Sequence, residues 1–169
     1  MDTALTYAET HADQFVDELK TLLRIPSVST DSAYDDEVER AAAWLADHLD
    51  GIGMEYTEII ATDGHPLVYA EHITDPAKPT VVVYGHYDVQ PPDPLEEWDT
   101  DPFEPAQHDG NLYARGACDD KGQMFMHVKA AEAYLSAEGD LPVNLKYIIE
   151  GEEESGSMAM GAYVQSNGS

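Results

Sequence analysis

Apolar residues recur along this chain with two different periods, and the switching between them outlines the elements. Near the start Phe15, Leu19 and Leu22 fall at i, i+4 and i+7, with Val16 and Leu23 beside them. That spacing predicts one amphipathic helix over Ala4 to Arg24, stopped by Pro26. Ser27 to Asp31 reads as a Ser/Thr-rich loop. A second helix is expected over Asp35 to Asp50, with Val38, Ala42, Leu45 and Leu49 inward and Gly51 and Gly53 closing it. Met54 to Ile60 and Leu67 to Ile73 read as short strands around a turn at Asp63-Gly64. Thr80 to Tyr84 is a continuous apolar run of the kind buried on both faces of a parallel sheet. Pro91 to Gly110 then forms a long proline-rich loop, with a short strand over Asn111 to Tyr113. Lys121 to Ala137 has Met124, Val128, Ala131 and Leu135 on one helical side. Val143 to Ile149 is another buried strand, a last helix starts near Met158, and Ser166 to Ser169 resembles a linker.

Helices alternating with buried strands imply an α/β fold, a mostly parallel sheet flanked by helices, in one domain over residues 1–169. In such sheets sites gather outside the carboxyl ends of strands. Two chemically loaded stretches lie there: GHYDVQPP, Gly85 to Pro92, and the run Glu152-Glu153-Glu154.

Composition narrows the partners. The 169 residues carry 34 Asp and Glu against 8 Lys and Arg, a net charge of −26. Such a chain repels nucleic acid and anionic lipid, so neither is expected as a partner. Its acids are interleaved with apolar periodicity, unlike a disordered acidic tail. Concentrated salt would screen the self-repulsion, so a halophilic setting is one physical account of the charge. Residues 1–24 hold Asp2, Glu9, Asp13, Asp17 and Glu18 and no run suited to export or membrane spanning. The single cysteine, Cys118, excludes an internal disulfide and fits a reducing cytoplasm.

Candidate chemistry begins at His86 and Asp88, which as alternate residues of an extended segment can address one spot. A neutral imidazole suits zinc and its neighbours, and a nearby carboxylate can orient it. The plainer alternative is a strand-end histidine bonded to a turn aspartate. Asp119-Asp120 follows Gly116; Asp120 reads as the N-cap of the Lys121 helix, and Asp119 as a carboxylate bridging two cations. Glu152-Glu153-Glu154 repel one another unless solvated or paired with cations. Cys118 is expected to be a small buried packing residue, and His11, His48, His65, His72, His108 and His127 surface or structural. Ser155 and Ser157 lack a histidine at a telling distance, and no phosphate-binding loop is present.

Taken in order, GHYDVQP, WDTDPFEP (Trp98 to Pro105), LYARGACDDKGQ and IEGEEESGS resemble the M20 family of metallopeptidases, in its carnosinase-like and cytosolic non-specific dipeptidase branch. The likeness runs from about Leu19 to the C-terminus; Ala114 stands where glycine is more usual. It implies a zinc-exopeptidase-like catalytic domain and hydrolysis of dipeptides or related amides by a two-metal-activated water. It also implies that His86 binds one metal, Asp119 bridges both, and Glu154 binds the second. Glu153 would be the general base and Asp88 would orient His86. The cations would be zinc, with manganese or cobalt as alternatives, and a cis peptide is implied between Asp119 and Asp120. The substrate would be a dipeptide or, in an N-acyl-amino-acid deacylase of the same family, an acylated amino acid. From another class, the alternative is a non-catalytic acidic module that binds divalent cations. Family enzymes are longer, with another acidic ligand, a C-terminal histidine ligand and an inserted lid domain that carries the usual dimer contacts. The chain therefore reads as the N-terminal portion of a catalytic domain, expected to be inactive alone, with homodimerisation expected only of a full-length parent.

Overall fold

The computed structural model describes residues 2–167. Its helices are α1 (Asp2–Thr10), α2 (Ala12–Leu23), α3 (Asp35–Gly51), α4 (Lys121–Glu138) and α5 (Met158–Asn167). Its strands are β1 (Tyr56–Ile60), β2 (Leu67–His72), β3 (Thr80–His86), β4 (Ala106–His108), β5 (Asn111–Tyr113) and β6 (Asn144–Glu150). Ser166 and Asn167 continue α5 rather than a linker, and residues 168–169 lie outside the described residues.

The helix expected over Ala4 to Arg24 is two helices, broken at His11. The His11 ring Nδ1 sits 2.8 Å from the Tyr7 carbonyl, and the Thr10 hydroxyl donates to Thr6 and Tyr7 carbonyls at 2.9 and 3.0 Å. Side chains that compete for helical carbonyls disturb the ladder at that turn.

The main sheet runs β1-β2-β6-β3, and it is mixed rather than mostly parallel. β1 with β2 and β2 with β6 are antiparallel, while β3 with β6 is parallel. Connection length is consistent with this: β1 and β2 are joined by the short connection 61–66, whereas β3 and β6 are joined through α4, the crossover a parallel pair needs. On one face Val68, Ala70, Leu145, Tyr147 and Ile149 pack with Leu45 and Leu49 of α3 and Met124 and Val128 of α4. Leu45 and Leu49 are fully buried, so truncating either to alanine costs about 2–5 kcal/mol.

β3 is not buried on both faces as expected. Among the described residues it is the outer strand of the sheet, with Val81, Val82 and Tyr84 exposed at 43, 56 and 55%. An apolar run is compatible with a covered strand but does not by itself supply two covering layers. The long loop after it also contains more structure than expected. Ala106–His108 pairs with Asn111–Tyr113 across Asp109-Gly110, where both φ values are positive (52° and 77°), the geometry of a two-residue hairpin turn.

One polar cluster lies among the helices. The Lys129 ammonium of α4 bonds Glu18 of α2 and reaches His48 Nε2 of α3 and Glu132 Oε2, both at 2.6 Å. It also sits 4.9 and 4.7 Å from the Phe15 and Phe125 ring centres. Burial, then the Lys129 charge, lowers the His48 pKa to about 4 against a weaker pull from Glu18, so the ring accepts from Lys129 as the neutral form. Among the described residues no helix is long and apolar enough to cross a membrane.

Candidate metal centre

The parallel pair β3 and β6 ends at His86 and Glu150, which are in register, so the chain leaves both strands at one place on the sheet rim. After His86 the backbone stays extended and held from two sides. Tyr87 N donates to Glu150 O at 2.9 Å, and Val89 N donates to Ser27 O at 2.9 Å. Asp88 is thereby carried into the interior with no exposed surface.

A buried carboxylate must be matched by donors. Asp88 Oδ1 accepts from Glu153 N at 3.2 Å and lies 3.2 Å from His86 Nδ1. Asp88 Oδ2 accepts from Glu154 N at 3.1 Å and from the Ser29 hydroxyl at 2.6 Å. Asp88 therefore stands behind the site, bracing the ring and the glutamate turn, rather than sharing one spot with His86. Burial opposes charge on the His86 ring, but Asp88, and behind it Asp120, outweigh that and raise its pKa to about 9. A cation arriving at Nε2 would therefore displace a proton.

The front of the ring faces carboxylates. His86 Nε2 is 3.1 Å from Asp119 Oδ1 and 3.9 Å from Glu153 Oε2. Ligand atoms of His86, Glu153 and Glu154 all lie within 4.8 Å of one another. Glu154 is steadied by Gln90, whose amide donates to Oε2 at 2.6 Å. Of the residues named for direct contact with metal or water, His86, Glu153 and Glu154 therefore form one group, and Asp119 adjoins it through His86 Nε2.

Exposure divides the site. The His86 side chain is 6% exposed and Asp88 0%, while Asp119 is 75% and Glu153 44% exposed. Among the described residues no lysine or arginine pairs with Asp119, Glu153 or Glu154; the nearby Lys121 turns away. Its ammonium, fully buried, donates to the Leu22 and Ile25 carbonyls at 3.2 and 2.6 Å, and burial lowers its pKa to about 7. One imidazole and several uncompensated carboxylates around a common point form a donor set that fits a divalent cation such as zinc or manganese.

Neighbouring residues differ from expectation. Asp120 precedes α4 but does not cap it; its Oδ2 accepts from His86 N at 3.2 Å, drawn to the last amide of β3. Cys118 is exposed rather than packed, because the turn presents it to solvent beside Asp119. The Asp119-Asp120 peptide is cis, as the resemblance implies, and Asp93-Pro94 is cis as well. Glu152 stays out of the carboxylate group and accepts from His65 N at 3.0 Å and Ala159 N at 3.1 Å. That reach passes over Gly64, where a Cβ would lie 1.8 Å from Glu152 Oε1. Ser29, His65, Gln90 and Lys121 were not legible as site residues. Each contributes through a contact distant in sequence that no spacing announces.

Known proteins resemble this chain in sequence and fold. The model of peptidase family M20/M25/M40 matches residues 82–168. The chain is 38% identical over 177 residues to Beta-Ala-His dipeptidase of Homo sapiens, covering 98% of this chain and 35% of that protein. It is 37% identical over 155 residues to the Cys-Gly metallodipeptidase dug1 of Schizosaccharomyces pombe, covering 86% of this chain and 33% of that protein. The crystal structure of human carnosine dipeptidase 1 superposes with a TM-score of 0.92 at 38% identity, over 98% of this chain and 37% of that one. The chain thus spans about a third of the length of the curated relatives it matches. A family match over half the chain, on a sheet rim that brings its histidine and carboxylates together, establishes that this chain belongs to peptidase family M20/M25/M40.

Proposed function

We propose that the chain forms one wall of a two-metal site that hydrolyses dipeptides or closely related amides. The observation that carries this is the grouping of His86, Glu153 and Glu154, with Asp119 3.1 Å from His86 Nε2, without a pairing lysine or arginine among the described residues. The similarity to dipeptidases supports the substrate class. In this reading His86 and Glu154 would each hold one ion and Asp119 would serve both, with zinc the first choice and manganese or cobalt as alternatives. When bound, two such cations lower the pKa of a shared water and polarise the scissile carbonyl.

The chain's own residues do the rest. Glu153 projects its carboxylate to the solvent side of the ring, where it can take a proton from water and pass it to the leaving amine. Asp88 holds the ring by Nδ1, through its carbonyl at 3.1 Å and its carboxylate at 3.2 Å, leaving Nε2 to point outward. Gln90 fixes one Glu154 oxygen, which leaves the other available to a cation.

Three donors, His86, Asp119 and Glu154, do not complete two metal coordination shells, so residues 1–169 are proposed to bind metal yet not to turn over alone. The test is an assay of the chain on β-Ala-His and Cys-Gly with added zinc or manganese, beside equilibrium dialysis of the metal. Metal retained without hydrolysis is expected. Metal-dependent hydrolysis would overturn the inactivity, and metal uptake untouched by His86→Ala would overturn the site. A cytoplasmic, salt-adapted setting is also proposed, on the single cysteine and the net charge of −26. A melting temperature that fails to rise between low and molar KCl would contradict the salt adaptation.

A further inference from the structure

Behind Asp88 lies a layer that the site chemistry above leaves without a task. Residues 25–29 cross from the end of α2 to the inner side of the His86 segment. Ser27, fully buried, donates its hydroxyl to Tyr87 O at 2.6 Å, and its carbonyl accepts from Val89 N at 2.9 Å. The buried Lys121 ammonium ties the start of this segment through the Leu22 and Ile25 carbonyls. His65 Nε2 approaches Ser29 O at 3.3 Å. Held on three sides, Ser29 points its hydroxyl at Asp88 Oδ2 from 2.6 Å, 59 residues away in sequence.

We propose that Ser29 is a positioning residue of the metal centre: its hydroxyl completes the donor set that fixes the Asp88 carboxylate. Through Asp88 it aligns the His86 ring and the Glu153 and Glu154 amides. The Asp88 carboxylate then has three hydrogen-bond donors, Glu153 N, Glu154 N and Ser29 Oγ, and lies 3.2 Å from His86 Nδ1, which is also 3.1 Å from the Asp88 carbonyl. With all of them made, the carboxylate has one orientation. Without the hydroxyl it keeps the Glu153 and Glu154 amides, so the fold survives, but the group can rotate and the alignment slackens. Groups that orient metal-binding histidines in this indirect way typically change metal affinity by about 10–100-fold.

The inference rests on the metal reading only for its affinity arm, and the experiment separates the two. The chain and its Ser29→Ala and Ser29→Thr variants would be compared, first metal-free, by 15N shifts of the His86 ring and hydrogen exchange of the Glu153 and Glu154 amides. Zinc affinity would then be read by competition with a chromophoric chelator. In Ser29→Ala the two amides should exchange roughly 10-fold faster, the ring signals should shift, and zinc affinity should fall about 10-fold. Ser29→Thr, which keeps the hydroxyl, should restore each within about 2-fold. Unchanged exchange and ring shifts in Ser29→Ala, an unchanged zinc affinity, or failure of threonine to rescue would overturn the proposal. If the exchange and ring effects appear while the unsubstituted chain does not bind zinc at all, the metal reading fails and the bracing of Asp88 stands.

Discussion

Two clusters in this molecule meet the same distance test for holding a cation, and their surroundings set them apart. Glu18, His48 and Glu132 gather between helices, and His86, Glu153 and Glu154 gather at the sheet rim. The first surrounds the Lys129 ammonium, which is 7% exposed, stacked between two phenylalanine rings and bonded to all three. The chain supplies its own cation there, and the cluster fastens α2, α3 and α4 together. The second has its ring braced from behind and its carboxylates open to solvent, with no lysine or arginine between them among the described residues. Ligand spacing alone does not distinguish the two; whether the positive charge is already present does.

The largest expected effects fall on metal binding. His86→Ala should weaken zinc binding by more than about 100-fold, while Glu132→Gln should leave it within about 2-fold, as read by calorimetric titration. Next comes stability. Lys129→Met strands two glutamates in a largely closed setting and should cost about 3–5 kcal/mol in urea unfolding, with zinc affinity retained. A smaller loss, about 1–2 kcal/mol, is expected from Gly64→Ala, because Glu152 is held by two amides and cannot move aside freely.

The smallest effect is a pH dependence. The folded His48 pKa, about 4, lies below its unfolded value, so the unfolded chain binds more protons between about pH 6.5 and pH 4. The stability that a neutral His48 contributes is complete above about pH 6.5 and is lost as pH falls toward 4. Because His48 is partly solvated, a loss of about 1 kcal/mol at pH 5 is expected, absent from His48→Gln. Comparing the two urea midpoints at pH 7 and pH 5 separates this from the titration of the many carboxylates.

The grouping of the candidate site residues was more legible in the sequence than the strand arrangement around them. His86, Asp119 and the Glu153-Glu154 pair sit in short glycine-punctuated stretches whose composition is electrostatically costly unless something uses it. Helix α3 was legible because Val38, Ala42, Leu45 and Leu49 repeat a helical period against a buried face. The exposure of β3 was not, because Val81 and Val82 look alike whether or not a second layer covers them. The mixed sheet was obscured for a related reason: strand direction follows from connections, not from the residues of β2 and β6. Ser29 and Lys121 were missed because a single serine or lysine has no period, and their partners lie 59 and about 100 positions away. Lys129 and His48 were missed as a pair for the same reason, being 81 residues apart.

The most direct measurement is anomalous diffraction at the zinc edge from crystals of the chain grown with zinc. The difference between the two clusters predicts a peak about 2.1 Å from His86 Nε2, within reach of Asp119 and the glutamate turn, and no peak among the helices. A peak among Glu18, His48 and Glu132, with His86 bare, would contradict it.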